Sequence, residues 1–147
     1  MASTTFHPRA FPTLHRYFMW SVLMKDRFEE ALSEPEGRQG DGFAYLATKA
    51  GTFMSYWYGG LYVVVEGWRE LGLSDPVIDP LLTSPNVEAL RLFRNATFHY
   101  QHQWLHQKHR AFMQIEGSVS WVRQLHAAFS QYFLREMRAR YRSHRDT

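Results

Sequence analysis

Four long stretches of this 147-residue chain repeat apolar residues at helical spacing, and short segments rich in Gly, Pro and Ser divide them. The first runs from about Pro12 or Thr13 to Leu32. Leu14, Tyr17, Phe18, Ser21, Met24, Phe28 and Ala31 or Leu32 recur along it, and Thr13 is the expected cap. Three Gly and one Pro within residues 33–42 break the pattern. The second stretch, about Phe43 to Leu71, is apolar on nearly every side, which predicts neighbours all round its middle. Its Gly59-Gly60 pair costs about 1 kcal/mol per Gly relative to Ala, so either a close approach by another backbone or a kink is expected there.

Pro76, Pro80 and Pro85 limit the next connector, Gly72 to Pro85, to a single helical turn after Ser74 or Asp75. Ser84-Pro85 then reads as an N-cap with Pro at the first helical position. The third stretch extends from about Pro85 to Gln101, with Ala89, Phe93, Ala96 and Tyr100 on one stripe. Trp104, Leu105, Phe112, Met113 and Ile115 predict short helical pieces within residues 102–117, ended near Gly117. The fourth stretch starts at Ser118 or Ser120, and Val122, Leu125, Phe129, Tyr132 or Phe133 and Met137 form its seam. The expected fold is all-α: a four-helix up-down bundle with short extra helical turns in the connections. One domain over residues 1–147 is expected, with 1–11 and 143–147 loosely ordered.

Composition narrows the chemistry. A chain that is 45% hydrophobic and 16% aromatic is too apolar for a disordered protein. With no cysteine, disulfides, thiolate zinc sites and cysteine nucleophiles are excluded, and a reducing cytoplasmic setting fits. Residues 1–14 lack the basic-then-apolar pattern of a signal peptide. The longest uncharged run, Ala50 to Val65, falls short of the roughly 20 apolar residues of a spanning helix, so no membrane partner is expected. Charge is uneven: residues 1–90 hold 7 Lys/Arg against 11 Asp/Glu, and residues 91–147 hold 10 against 3. A basic second half attracts polyanions such as RNA, although a solvated basic face gives the same pattern.

The third stretch carries Arg94-Asn95-Ala96-Thr97-Phe98-His99. Asn95 and His99 are four apart and would share a helical face; Arg94 and His99, five apart, would diverge by about 140° in an ideal helix. They converge only if the helix end distorts or a second chain completes the site. Arg and His suffice for RNA cleavage without metal. Imidazole exchanges protons near neutrality and can accept the 2′-hydroxyl proton, while a guanidinium holds phosphate oxygens as charge builds. The products are a 2′,3′-cyclic phosphate and a 5′-hydroxyl, and DNA is inert. Asn95 would orient His99 or the phosphate.

This segment resembles the signature of the HEPN superfamily (higher eukaryote and prokaryote nucleotide-binding domains): Arg, four to six residues, then His, often with a polar residue directly after the Arg. Its place on the penultimate long helix agrees as well. The resemblance implies a metal-independent endoribonuclease that needs no cofactor, of toxin or defence type. It also implies a homodimer with two facing motifs, RNA as substrate, and an antitoxin or other regulatory protein as partner. Arg94, Asn95 and His99 would be catalytic, with Tyr100, His102 and Arg91 as auxiliary RNA contacts. One toxin subgroup has His, one residue, then Tyr; here Tyr100 follows His99 directly and Gln101 takes the Tyr position, so that subgroup's tyrosine control does not carry over. The alternative is a non-catalytic HEPN-like module that binds a partner protein, nucleotide or RNA.

Other features compete. His99, His102, His106 and His109 would share one face if the third helix ran unbroken to residue 110, and such a row can chelate a metal. No Asp or Glu lies between Glu88 and Glu116 to help, so no metal is expected. Phe53, Tyr56, Trp57, Tyr58 and Tyr62 read as core rather than as a stacking platform. Arg135, Arg138, Arg140, Arg142 and Arg145 favour the helix macrodipole, with RNA contact as a secondary reading.

Overall fold

The computed structural model describes residues 9–35, 45–103 and 107–147, and among them the chain is all-helical, without strands. Helices α1 (Ala10–Ser33), α2 (Lys49–Glu70), α4 (Asn86–Phe98) and α6 (Ser118–Arg145) form the bundle; α3 (Ile78–Leu81) and α5 (Gln107–Gln114) are short pieces in its connections.

The most apolar helix lies at the centre. Trp57, Leu61, Val64, Val65 and Trp68 of α2 are fully buried between α1, α4 and α6. From α6, His126 meets the Trp57 ring and Phe129 and Tyr132 meet the Trp68 ring. From α1, Phe18 stacks on Phe133 at 5.1 Å. From α4 and α5, Phe93 and Phe112 close on Tyr58 at 5.5 Å. The aromatic stretch of α2 is therefore largely core, except that Tyr56 is exposed.

Helix ends follow local hydrogen-bond chemistry, not always at the expected residue. Thr13 does not cap α1: the helix begins three residues earlier, and Thr13 Oγ1 donates back to the Arg9 carbonyl. Thr48 caps α2 by accepting from the Gly51 N–H, which places its start after the expected Phe43. Phe43 itself lies outside the described residues. Asp75 receives the N–H groups of Val77 and Ile78 and so starts the single turn expected after Ser74 or Asp75. Neither Ser118 nor Ser120 caps α6; Gly117, at φ +76°, makes the sharp entry, and Ser118 is buried as the first helical residue.

Helix α2 runs unbroken through Gly59-Gly60. A Cβ on Gly59 would come within 2.6 Å of the Phe98 ring, and one on Gly60 would face Ser21 at 3.7 Å. The Phe98 side chain of α4, not another backbone, occupies the space at Gly59, whereas a Cβ on Gly60 would make only ordinary contact with Ser21. Residues 143–145, expected to be loosely ordered, continue α6, while 1–8 lie outside the described residues. Among the described residues no helix is long and apolar enough to cross a membrane.

Candidate active site

The site begins where α4 ends. Asn95, Thr97, Phe98, His99 and Tyr100 are all weak helix formers, and Thr97 returns its hydroxyl to the Phe93 carbonyl at 3.0 Å. The last helical residue is Phe98, three before the expected Gln101. His99 is already extended, at φ −109° and ψ 134°, and its N–H closes the final turn on the Asn95 carbonyl. Tyr100, expected on the buried stripe, is instead 87% exposed because the chain has left the helix. Asn95 and His99 consequently do not share a continuous helical face.

Arg94 is held from three sides. Its Nη1 and Nη2 donate to both carboxylate oxygens of Glu66 on α2, at 3.0 and 2.8 Å. Its Nε donates to Asn95 Oδ1 at 2.8 Å, and its guanidinium carbon lies 4.8 Å from the centre of the Tyr62 ring. Asn95 thus orients Arg94 rather than His99. The Arg94 side chain is 17% exposed, against 44% for Glu66, so the pair is only partly withdrawn from water. Burial, followed by the Glu66 charge, pushes the Tyr62 hydroxyl above its ordinary range, keeping the ring neutral beneath the cation. A guanidinium has five N–H groups, of which these contacts use three, leaving two on the Nη atoms.

Around this anchor the surface is mixed. Phe98 lies over Gly59 and meets Tyr56 edge-on at 5.6 Å; both rings are about half exposed. A groove of about 420 Å³ between α1 and α2, lined by Leu14, Tyr17, Val63 and Gly67 among others, reaches Glu66 from the other side. Arg91 is paired with Glu88 one turn away.

The other expected contributors separate. Neither of the Arg94 hydrogen-bond partners is His99, and the exposed His99 ring stands beyond the helix. Tyr100 meets His102 edge-on at 5.5 Å, and both are exposed. The four-histidine row loses its premise, because α4 stops at Phe98. His109 is buried on α5, edge-on to Phe93 at 4.8 Å with its Nε2 3.1 Å from Thr97 Oγ1. His106 lies outside the described residues. Among the described residues no three His, Asp or Glu side chains gather as a metal-ligand set.

Glu66 and Tyr62 were not apparent from the motif. They come from a helix 28 and 32 positions earlier, so motif spacing carries no trace of them. The one available signal was Glu66 itself, the first charge after sixteen uncharged positions.

No family model, curated protein or solved structure matches this chain.

Proposed function

We propose that this chain is a metal-independent endoribonuclease of HEPN type, with Arg94 and His99 as its reacting pair. The observation that carries the reading is the anchored guanidinium: Glu66, Asn95 and Tyr62 fix Arg94 five residues before an exposed His99, with two N–H groups left over. Fixing a donor in advance is what transition-state charge requires, because little reorganisation remains at the moment of reaction.

In this reading His99 accepts the proton of a ribose 2′-hydroxyl. The 2′-oxygen forms its bond to the adjacent phosphorus while the remaining Arg94 N–H groups hold a non-bridging oxygen. The bond to the 5′-oxygen then breaks, and that oxygen takes a proton. The ends are a 2′,3′-cyclic phosphate and a 5′-hydroxyl. A second copy facing the first supplies another His99 for the departing oxygen. Half-exposed Tyr56 and Phe98 beside the site offer apolar surface for such a homodimer. A regulatory protein of antitoxin kind would silence the site by covering the same face.

The test is incubation with single-stranded RNA in EDTA, beside a substrate carrying one 2′-deoxy position. Cleavage with cyclic phosphate ends, blocked at the deoxy position, supports the reading; cleavage there, or dependence on added metal, contradicts it. A second reading rests on the same ion pair. A carboxylate on both Nη atoms of Arg94 also clamps α4 to α2, as a non-catalytic HEPN-like binding module would need. Intact RNA after incubation with a dimer that still binds it would favour that module.

A further inference from the structure

Helix α6 outruns the bundle. It has 28 residues, about 42 Å at roughly 1.5 Å per residue, yet its last buried residue is Phe133. From Leu134 to Arg145, every residue but Glu136 is exposed, and this extension is roughly 18 Å long. Helices rarely hold such length without tertiary contacts. Two contacts tie it to the bundle: Arg135 donates to Asp75 near its start, and the Arg140 guanidinium lies 3.8 Å from the centre of the Phe11 ring on α1.

The exposed face is ordered by charge. Residues 134–147 contain five Arg against one Glu and one Asp. Arg135, Arg138, Arg142 and Arg145 follow one another at steps of three, four and three, so they form one stripe. Tyr141, 67% exposed, is three residues from Arg138 and four from Arg145 and belongs to the same face. Gln131, Leu134, Arg135, Arg138 and Arg142 outline a shallow trough of about 340 Å³ along it. Arg135 is committed to Asp75 at 2.7 Å; Arg138, Arg142 and Arg145 have no side-chain hydrogen bond or ion pair among the described residues. A macrodipole explains cations in the last turn only, and Arg138 lies two turns before the end.

We propose that this extension is an arm that grips single-stranded RNA, with Arg138, Arg142 and Arg145 on backbone phosphates and Tyr141 against a base. A stripe of unpaired guanidinium groups fits a polyanion, and an aromatic ring set among them fits the flat faces of unpaired bases. An acidic protein would use the cations but not the ring. A bilayer would need a long apolar stripe, and Leu134, Met137 and Tyr141 supply only a short, narrow one with cations along its edge.

The experiment uses the full chain and a labelled, fully 2′-O-methylated single-stranded RNA, which binds but cannot be cut. Affinity is measured across a salt series for wild type, the Arg138→Gln/Arg142→Gln/Arg145→Gln variant and Tyr141→Ala. Three lost phosphate contacts should weaken binding by at least about tenfold at low salt and flatten the log–log salt slope by about 2. Tyr141→Ala should weaken it about tenfold at unchanged slope. The 2′-O-methylated RNA reports binding without cleavage, so a failure of the cleavage reading leaves the arm independently tested. These exposed substitutions should leave the melting temperature unchanged, and Arg135→Gln controls for effects passed through Asp75. Wild-type affinity and slope in the triple variant would overturn the proposal. So would the absence of RNA binding by wild type, or tighter binding to polyglutamate or to phosphatidylserine vesicles than to RNA.

Discussion

Arg94 and the arginines of the α6 arm carry the same group in opposite settings. Arg94 is stacked on Tyr62, bonded to Asn95, paired with Glu66 and mostly covered. Arg138, Arg142 and Arg145 stand on an exposed helix face with no such partners among the described residues. A cation held in one place loses little freedom when charge develops beside it, but a neighbouring carboxylate cancels much of its long-range field. A cation in open water has the reverse properties: it attracts polyanions at a distance and fixes no geometry. The two regions are thus suited to different steps, orientation at the end of α4 and capture along α6.

The largest expected effect comes from the exposed imidazole. His99→Ala should lower cleavage by about 10²- to 10⁴-fold, the usual contribution of a positioned acid or base, with an unchanged melting curve. Measuring rate and melting on the same preparation separates chemistry from folding.

Both regions depend on an intact bundle, and His126 contributes to its loss of stability in acid. It is buried against Phe18 and accepts the Trp57 indole N–H at 3.1 Å, and burial lowers its pKa to about 4 from 6.5. Nearby Lys25 and Arg123 push the same way. Because the folded value is the depressed one, the unfolded chain takes up the proton first as pH falls. The contribution is complete above pH 6.5 and lost between 6.5 and about 4, on the order of 3 kcal/mol. Urea midpoints at neutral and acid pH should show this loss in wild type and much less of it in His126→Gln.

Smaller effects separate orientation from capture. Glu66→Gln keeps the shape of the side chain but removes its charge, so Arg94 should wander while attracting phosphate more freely. The expected outcome is kcat lower by about ten- to a hundredfold, with KM unchanged or reduced. Stability should fall by less than about 1 kcal/mol, since the pair is partly solvated. The smallest effect belongs to the arm: Arg138→Gln/Arg142→Gln/Arg145→Gln should raise KM about tenfold at constant kcat.

Much of the architecture was legible in the chain. Helical spacing of Leu14, Phe18, Phe28 and of Val122, Leu125, Phe129 marks faces that are buried, and the evenly apolar α2 is central. The end of α4 was harder to read, because the apolar period continues to Tyr100 while the backbone does not. Weak helix formers and the Thr97 back-bond stop it first. The motif named Arg94, Asn95 and His99, but the contacts that orient Arg94 reach across from Glu66 and Tyr62 on α2, where only tertiary packing brings them. The arm was visible as a run of Arg; that Phe133 ends the buried seam and leaves the stripe exposed came from the fold.

The most direct measurement is single-turnover cleavage of one RNA in EDTA, at saturating protein, by wild type, His99→Ala and the triple arm variant. Cyclic phosphate ends are expected from wild type and from the arm variant at similar rates, and none from His99→Ala while it still binds the RNA. Cleavage by His99→Ala at the wild-type rate would contradict the role proposed for His99.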